Sequence, residues 1–167
     1  MEDKKQRTID YINEILRPPR EEFGGLPVCP FAGPELDSGK LMIDIISEEK
    51  SLDFLLDEYK NSKYNSALFI LELPDGESLT AEETDQFEKF VNKTIKYKGY
   101  KDIKTICFNP NDSVSINGFN PRGKAPYFLI NIAGRKELHK AHKSLTKTNY
   151  YDNMDVKYKS FLKIGGK

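Results

Sequence analysis

Four short apolar runs punctuate the chain: KLMIDIIS at 40–47, SALFILEL at 66–73, IKTICF at 103–108 and YFLINIA at 127–133. They lack the strict apolar–polar alternation of a half-exposed strand, and near-continuous apolar character marks a strand covered on both faces. Helical patterns lie between them. Ile9, Ile12 and Leu16, with Tyr11 and Ile15, form a stripe that ends at Arg17-Pro18-Pro19, because proline cannot continue a helix. Leu52, Leu55, Leu56 and Tyr59 repeat at i, i+3, i+4, i+7. Thr80-Ala81-Glu82-Glu83 is a capping box opening a helix that carries Phe87, Phe90, Val91 and Ile95 and ends near Gly99. Leu138, Ala141, His142 and Leu145 mark a last helix. The order α-β-α-β-α-β-β-α predicts one α/β domain over 1–167: a four-stranded mixed, mainly parallel sheet flanked by helices, its final strand antiparallel.

Three segments fall outside this rhythm. Residues 18–39 are rich in Pro and Gly and read as a long loop, and residues 109–125 are rich in Asn, Asp, Gly and Pro. Loops of this length in a small domain are usually functional or mobile. The second leaves the carboxyl end of a strand, where open α/β sheets place their sites. The third is an aromatic, basic C-terminal tail, 149–167.

Charge and cysteine content narrow the partners. Lys+Arg and Asp+Glu both number 26, so the formal net charge is zero, which gives no global field for nucleic acid or an anionic membrane. No apolar run approaches the ~20 residues of a membrane helix. MEDKKQRTIDYINEIL is charged and amphipathic and reads as mature protein rather than a signal peptide. Two cysteines in a chain of 167 residues point to reduced thiols and a cytoplasmic setting. No Walker-type or GxGxxG loop is present to hold a nucleotide, and no cofactor is called for.

One of those cysteines stands in LPVCPFAGP, residues 26–34. If a short helix starts at Pro30, Cys29 is its N-cap, and free backbone N–H groups and the helix dipole then stabilise a thiolate. The opposing reading is a small apolar plug among Pro27, Val28 and Phe31, and Gly33-Pro34-Glu35-Leu36 is a poor helix sequence. Ala32 leaves the motif without the second cysteine of a thioredoxin-type turn, and no buried strand precedes it. His139 and His142, spaced i, i+3, lie within reach of one metal ion, while His142 also fits the core stripe of its helix. In the second loop Arg122, Gly123 and Lys124 have the composition to grip an anion, and Arg135 lies at the start of the last helix, where an anion is favoured. The segment 136–167 holds eight lysines with Tyr150, Tyr151, Tyr158 and Phe161 interleaved, a composition used on single-stranded nucleic acids and equally that of a solvated helix whose aromatics dock on the core.

With these motifs in view, the chain resembles the bacterial domain-of-unknown-function family 1415. The resemblance rests on Val28-Cys29-Pro30-Phe31-Ala32, Leu73-Pro74-Asp75, Phe108-Asn109-Pro110, Pro126-Tyr127, Arg135, Asn153 and Leu162-Lys163-Ile164-Gly165, and spans about residues 8–165. The family pattern has an Arg just before the Pro-Tyr and a His in the following strand, where this chain has Lys124 and Asn131. The resemblance implies that Cys29, Arg135 and the 109–127 loop form one neighbourhood, and it names no reaction.

Two functions follow as expectations. In the first, the Cys29 loop and the 109–127 loop form a pocket for a small anionic ligand, with Arg122, Lys124, Asn131 and Arg135 as binding residues and the tail as a surface for a protein partner. In the second, Cys29 is the nucleophile or redox group of a small thiol-dependent enzyme.

Overall fold

A computed structural model describes residues 2–75, 77–155 and 158–159. The Phe161 and Leu162–Gly165 positions noted above lie outside the described residues.

Helix α1 (Glu2–Tyr11) runs into a wider turn over Ile12–Leu16, in which the Arg17 N–H reaches the Ile12 carbonyl at 2.8 Å. This five-residue spacing closes the helix just before Pro18-Pro19. The 18–39 segment is more ordered than its composition predicts. Pro19–Arg20 (β1) pairs with Leu26–Pro27 (β2) around a single 3-10 turn, and Ala32–Asp37 forms a short helix, α2. Pro34 is tolerated there because it lies in the first turn, where its missing N–H has no intrahelical partner to lose.

Strand β3 (Leu41–Ile45), helix α3 (Leu52–Lys60), strand β4 (Ser66–Leu71), helix α4 (Ala81–Tyr97), strands β5 (Ile103–Phe108) and β6 (Phe128–Gly134) and helix α5 (Arg135–Leu145) complete the fold. The helix starts follow local chemistry. Ser51 accepts the Phe54 N–H, and Thr80 and Glu83 exchange side chain-to-backbone bonds of 3.1 Å in the capping box. Gly99, at φ +80°, ends α4.

The sheet is four-stranded and mixed, in the order β3-β4-β6-β5. The α/β class, the element order and the antiparallel last strand follow the sequence pattern; the mainly parallel pairing does not. Strands β3, β4 and β5 share a direction, but β6 inserts between β4 and β5, so β3–β4 is the parallel pair and both pairs made by β6 are antiparallel. Apolar runs report burial on both faces, and they are silent on strand direction.

Each face carries its own core. Leu55, Leu56 and Tyr59 of α3 and Val91 and Ile95 of α4 pack on Ala67, Phe69, Cys107, Ile130 and Ile132. On the opposite face, Tyr11, Ile12, Leu16 and Ala32 pack on Ile45, Leu68, Ile70 and Leu129. A third cluster joins Phe23, Ile116, Phe119 and Leu145 to Tyr150, Met154 and Tyr158. The tail's Tyr150 and Tyr158 are thus buried rather than displayed. No helix among the described residues is long and apolar enough to cross a membrane.

Candidate functional site

The α1/α2 face of the sheet is incompletely filled, and a cleft opens there. Its floor is Ile106 and Phe108 of β5 and Asn131 of β6, which alternation places on one side of the sheet. One wall is the Cys29 loop, the other is Leu138, Ala141, His142 and Leu145 of α5, and Pro121 and Arg122 close one end. Cys29, Arg122 and Asn131 therefore line a common space. Lys124 and Arg135 are not part of that lining. Lys124 is exposed, its ammonium 5.9 Å from the Phe119 ring centre. Arg135 is exposed at the first position of α5, its N–H bonded to the Asp102 carbonyl at 2.7 Å.

Two tyrosines hold the loops that form the cleft. The Tyr11 hydroxyl donates to the Pro121 carbonyl at 2.7 Å, one residue before Arg122. The Tyr150 hydroxyl donates to the Val28 carbonyl, one residue before Cys29. Burial pushes the titration of both phenols upward, so they remain neutral donors near neutral pH.

Cys29 is fixed through its backbone: its N–H reaches the Leu16 carbonyl at 3.1 Å, and its carbonyl accepts the Ala32 N–H at 3.3 Å. The helix starts at Ala32 rather than Pro30, and it is only six residues long. Burial pushes the thiol up, while the N–H groups of Phe31 and Ala32 pull it down and Glu35 adds a smaller upward push; the net direction is up. Desolvation of the thiolate outweighs the backbone dipoles, so the resting group is a thiol.

Arg122 is 5% exposed. Its guanidinium donates to the Cys107 carbonyl at 3.4 Å and lies 5.2 Å from the Phe108 ring centre. Burial lowers its titration; Tyr158, Asp112, Glu88 and Tyr11 act in the opposite sense. A guanidinium stays charged in proteins even when so buried. The Asn131 carbonyl accepts the Thr105 hydroxyl at 2.9 Å, and its side chain stands midway along the cleft floor.

His142 is a cleft residue for which the sequence gives no pairing with Cys29. Its Nδ1 lies 2.7 Å from the Tyr151 hydroxyl, and burial, with smaller contributions from Lys104 and His139, lowers its titration. His139, one turn earlier on the same helix, is exposed, and among the described residues no group of three or more His, Cys, Asp or Glu is arranged to hold a metal ion. A second hollow shares Cys29, Phe31, Phe108 and Asn131 with the cleft and is bounded by Glu35, Ser66 and Glu137. Its Glu35 lies in the GPEL stretch that propensity assigns to loop. A broader, open hollow near Ser51, Phe90 and Tyr97 belongs to the α3/α4 side and holds none of these residues.

Comparison with protein-family models, with curated proteins and with solved structures finds no match to the chain.

Proposed function

We propose that the cleft binds a small ligand with an apolar body and an anionic group, the anion directed to Arg122. One observation carries this reading: a buried arginine on the wall of a cavity whose remaining lining is chiefly apolar. Such a cavity, with few convergent polar groups, is the usual form of a small-molecule site. A cation in a low-dielectric wall attracts a carboxylate or phosphate more strongly than one in water. Asn131 orients the ligand from the floor, and the neutral phenols of Tyr11 and Tyr150 hold the rim. The resemblance to family 1415 belongs to the same reading and adds no reaction to it. The zero net charge and the thiols of Cys29 and Cys107, which form no disulfide and serve one face of the sheet each, support a cytoplasmic setting.

A second reading, thiol-dependent catalysis at Cys29, is favoured by one observation: Cys29 and His142 line the same cleft. The upward shift of the thiol weighs against it. A thermal-shift screen of short carboxylates and phosphate esters on the wild type and Cys29→Ala separates the two. Binding predicts a saturable rise in Tm for both proteins, smaller in Arg122→Lys, where one ammonium replaces the planar fork. Absence of any saturable shift across the carboxylates and phosphates contradicts the binding reading.

A further inference from the structure

The outward side of α4 carries a regular stripe. Glu83, Gln86, Phe90, Lys93 and Tyr97 follow one another at alternating steps of three and four residues. That spacing aligns side chains along one line of a helix, and paired helices use it for their seam. All five residues are exposed, Phe90 at 56% and Tyr97 at 92%. Thr84, Glu88, Val91 and Ile95 form the buried side of the same helix. Beside the stripe, Leu52 and Thr94 join Phe90 and Tyr97 in lining the open hollow of the α3/α4 side. An aromatic knob and an apolar hollow to receive one therefore stand on the same face, as a two-fold contact between identical chains requires.

Charge is ordered along this face. Glu82 and Glu83 lie in the first turn of α4, and Lys93 and Lys96 lie in its last two turns. Among the described residues none of these four is in an ion pair. Laid antiparallel on a second copy with Phe90 near the centre, the stripe sets Glu83 opposite Tyr97 and Gln86 opposite Lys93, twice over. The acidic turn of each copy then lies against the basic turns of the other, and the helix dipoles oppose. A parallel arrangement would set Lys93 on Lys93 and Glu83 on Glu83, which like-charge repulsion disfavours.

We infer that the outward face of α4 is a homodimer interface, on which two copies of this chain pack antiparallel with the Phe90 ring of each seated beside Thr94 in the hollow of the other. A pair of 17-residue helices, each about 25 Å long, makes a contact at the small end of specific interfaces, so the dimer is a weak one that forms at high protein concentration. The face lies across the sheet from the cleft, so the dimer leaves the cleft open and its test does not depend on ligand binding.

The test is sedimentation equilibrium of the 167-residue chain from about 10 μM to about 1 mM, the range suited to a weak contact. The expected result is a mass that rises from one chain towards two. Phe90→Asp is expected to weaken association at least about ten-fold, as loss of a central aromatic anchor does. Tyr97→Ala, at a position too exposed to affect folding, is expected to weaken it as well. Gln86→Lys and Lys93→Glu are each expected to weaken association, and the double variant to restore it. The two positions are two turns apart within one helix, so the rescue comes from pairing between copies. A single-chain mass at every concentration overturns the dimer and leaves this face to a different partner. A dimer that Phe90→Asp and Tyr97→Ala leave equally tight overturns the surface. Failure of the double variant to restore association overturns the antiparallel pairing.

Discussion

The Tyr150 hydroxyl donates to the Val28 carbonyl, tying a residue of the C-terminal segment to the turn that carries Cys29, 122 positions away in sequence. The Tyr150 ring packs on Phe23, with centroids 5.3 Å apart. One residue thus anchors the third core cluster and one wall of the cleft. Tyr150→Phe keeps the ring and removes the donor, leaving a carbonyl in the interior without it. The expected loss of stability is about 1–2 kcal/mol, measured by urea denaturation. The Cys29 turn loosens with it, so native-state alkylation of Cys29 accelerates while that of Cys107 does not change.

Cys29 is expected to behave as a neutral thiol. Its titration lies above the ordinary value of 9.0 because the buried thiolate is poorly solvated. Alkylation rate against pH, resolved by peptide mass spectrometry, therefore has its midpoint above 9, and the thiol is nearly silent at pH 7. A midpoint below 8 would instead mean that the Phe31 and Ala32 N–H groups outweigh burial, and the thiol-enzyme reading would gain.

His142 gives the fold a pH dependence of definite sign. Its folded titration lies below the ordinary 6.5 because burial disfavours the imidazolium. Above pH 6.5 the ring is neutral in both states and its contribution is fully present. As pH falls below 6.5 the unfolded chain binds a proton that the folded protein resists, so stability falls. His142→Gln lacks this term. Its Tm measured from pH 7 to 5 is expected to fall less steeply than that of the wild type, and parallel slopes would remove His142 from the account.

Gly24 and Gly25 separate backbone strain from collision. Both have positive φ, +66° and +83°. A Cβ on Gly24 meets the backbone carbonyl of Asn149, whereas a Cβ on Gly25 meets open space. Gly25→Ala is expected to cost about 1 kcal/mol, the penalty for a left-handed alanine. Gly24→Ala adds displacement of the segment leading to Tyr150 and is expected to cost at least ~2 kcal/mol. Thermal melts of both variants check the difference.

The elements of the fold were legible wherever a local rule applied. The Thr80–Glu83 box, the Gly99 stop and the Leu52–Tyr59 stripe are each decided by a few neighbouring residues, and each stands where the sequence puts it. Strand pairing was not legible, because an apolar strand reads the same in either direction, and the place of β6 depends on where the 109–127 connection returns. Helix α2 was missed because its propensity is poor; its packing of Ala32 against Leu16 and Leu68 compensates. In the cleft, Cys29, Arg122 and Asn131 lie in or near segments that the composition or the Cys-Pro-Phe motif singled out. Lys124 and Arg135 share that composition yet lie outside the cleft, since composition does not report which way a side chain faces. His142 had a partial signal in the 138/141/142/145 stripe. Tyr11, Tyr150, Glu35 and Glu137 had none, because they reach the cleft only through long-range packing.

The most direct test of ligand binding in this cleft uses its own cysteine. Cys29 lines the middle of the cleft and Cys107 lies in the core on the opposite face of the sheet, 1% exposed. Alkylation of the wild type at pH 9 is followed at both positions, with and without a carboxylate ligand at a concentration that saturates the thermal shift. The account predicts that bound ligand slows Cys29 at least several-fold and leaves Cys107 unaffected. An unchanged Cys29 rate under saturating ligand would contradict it, and would place the ligand somewhere other than the cleft that Cys29 and Arg122 line.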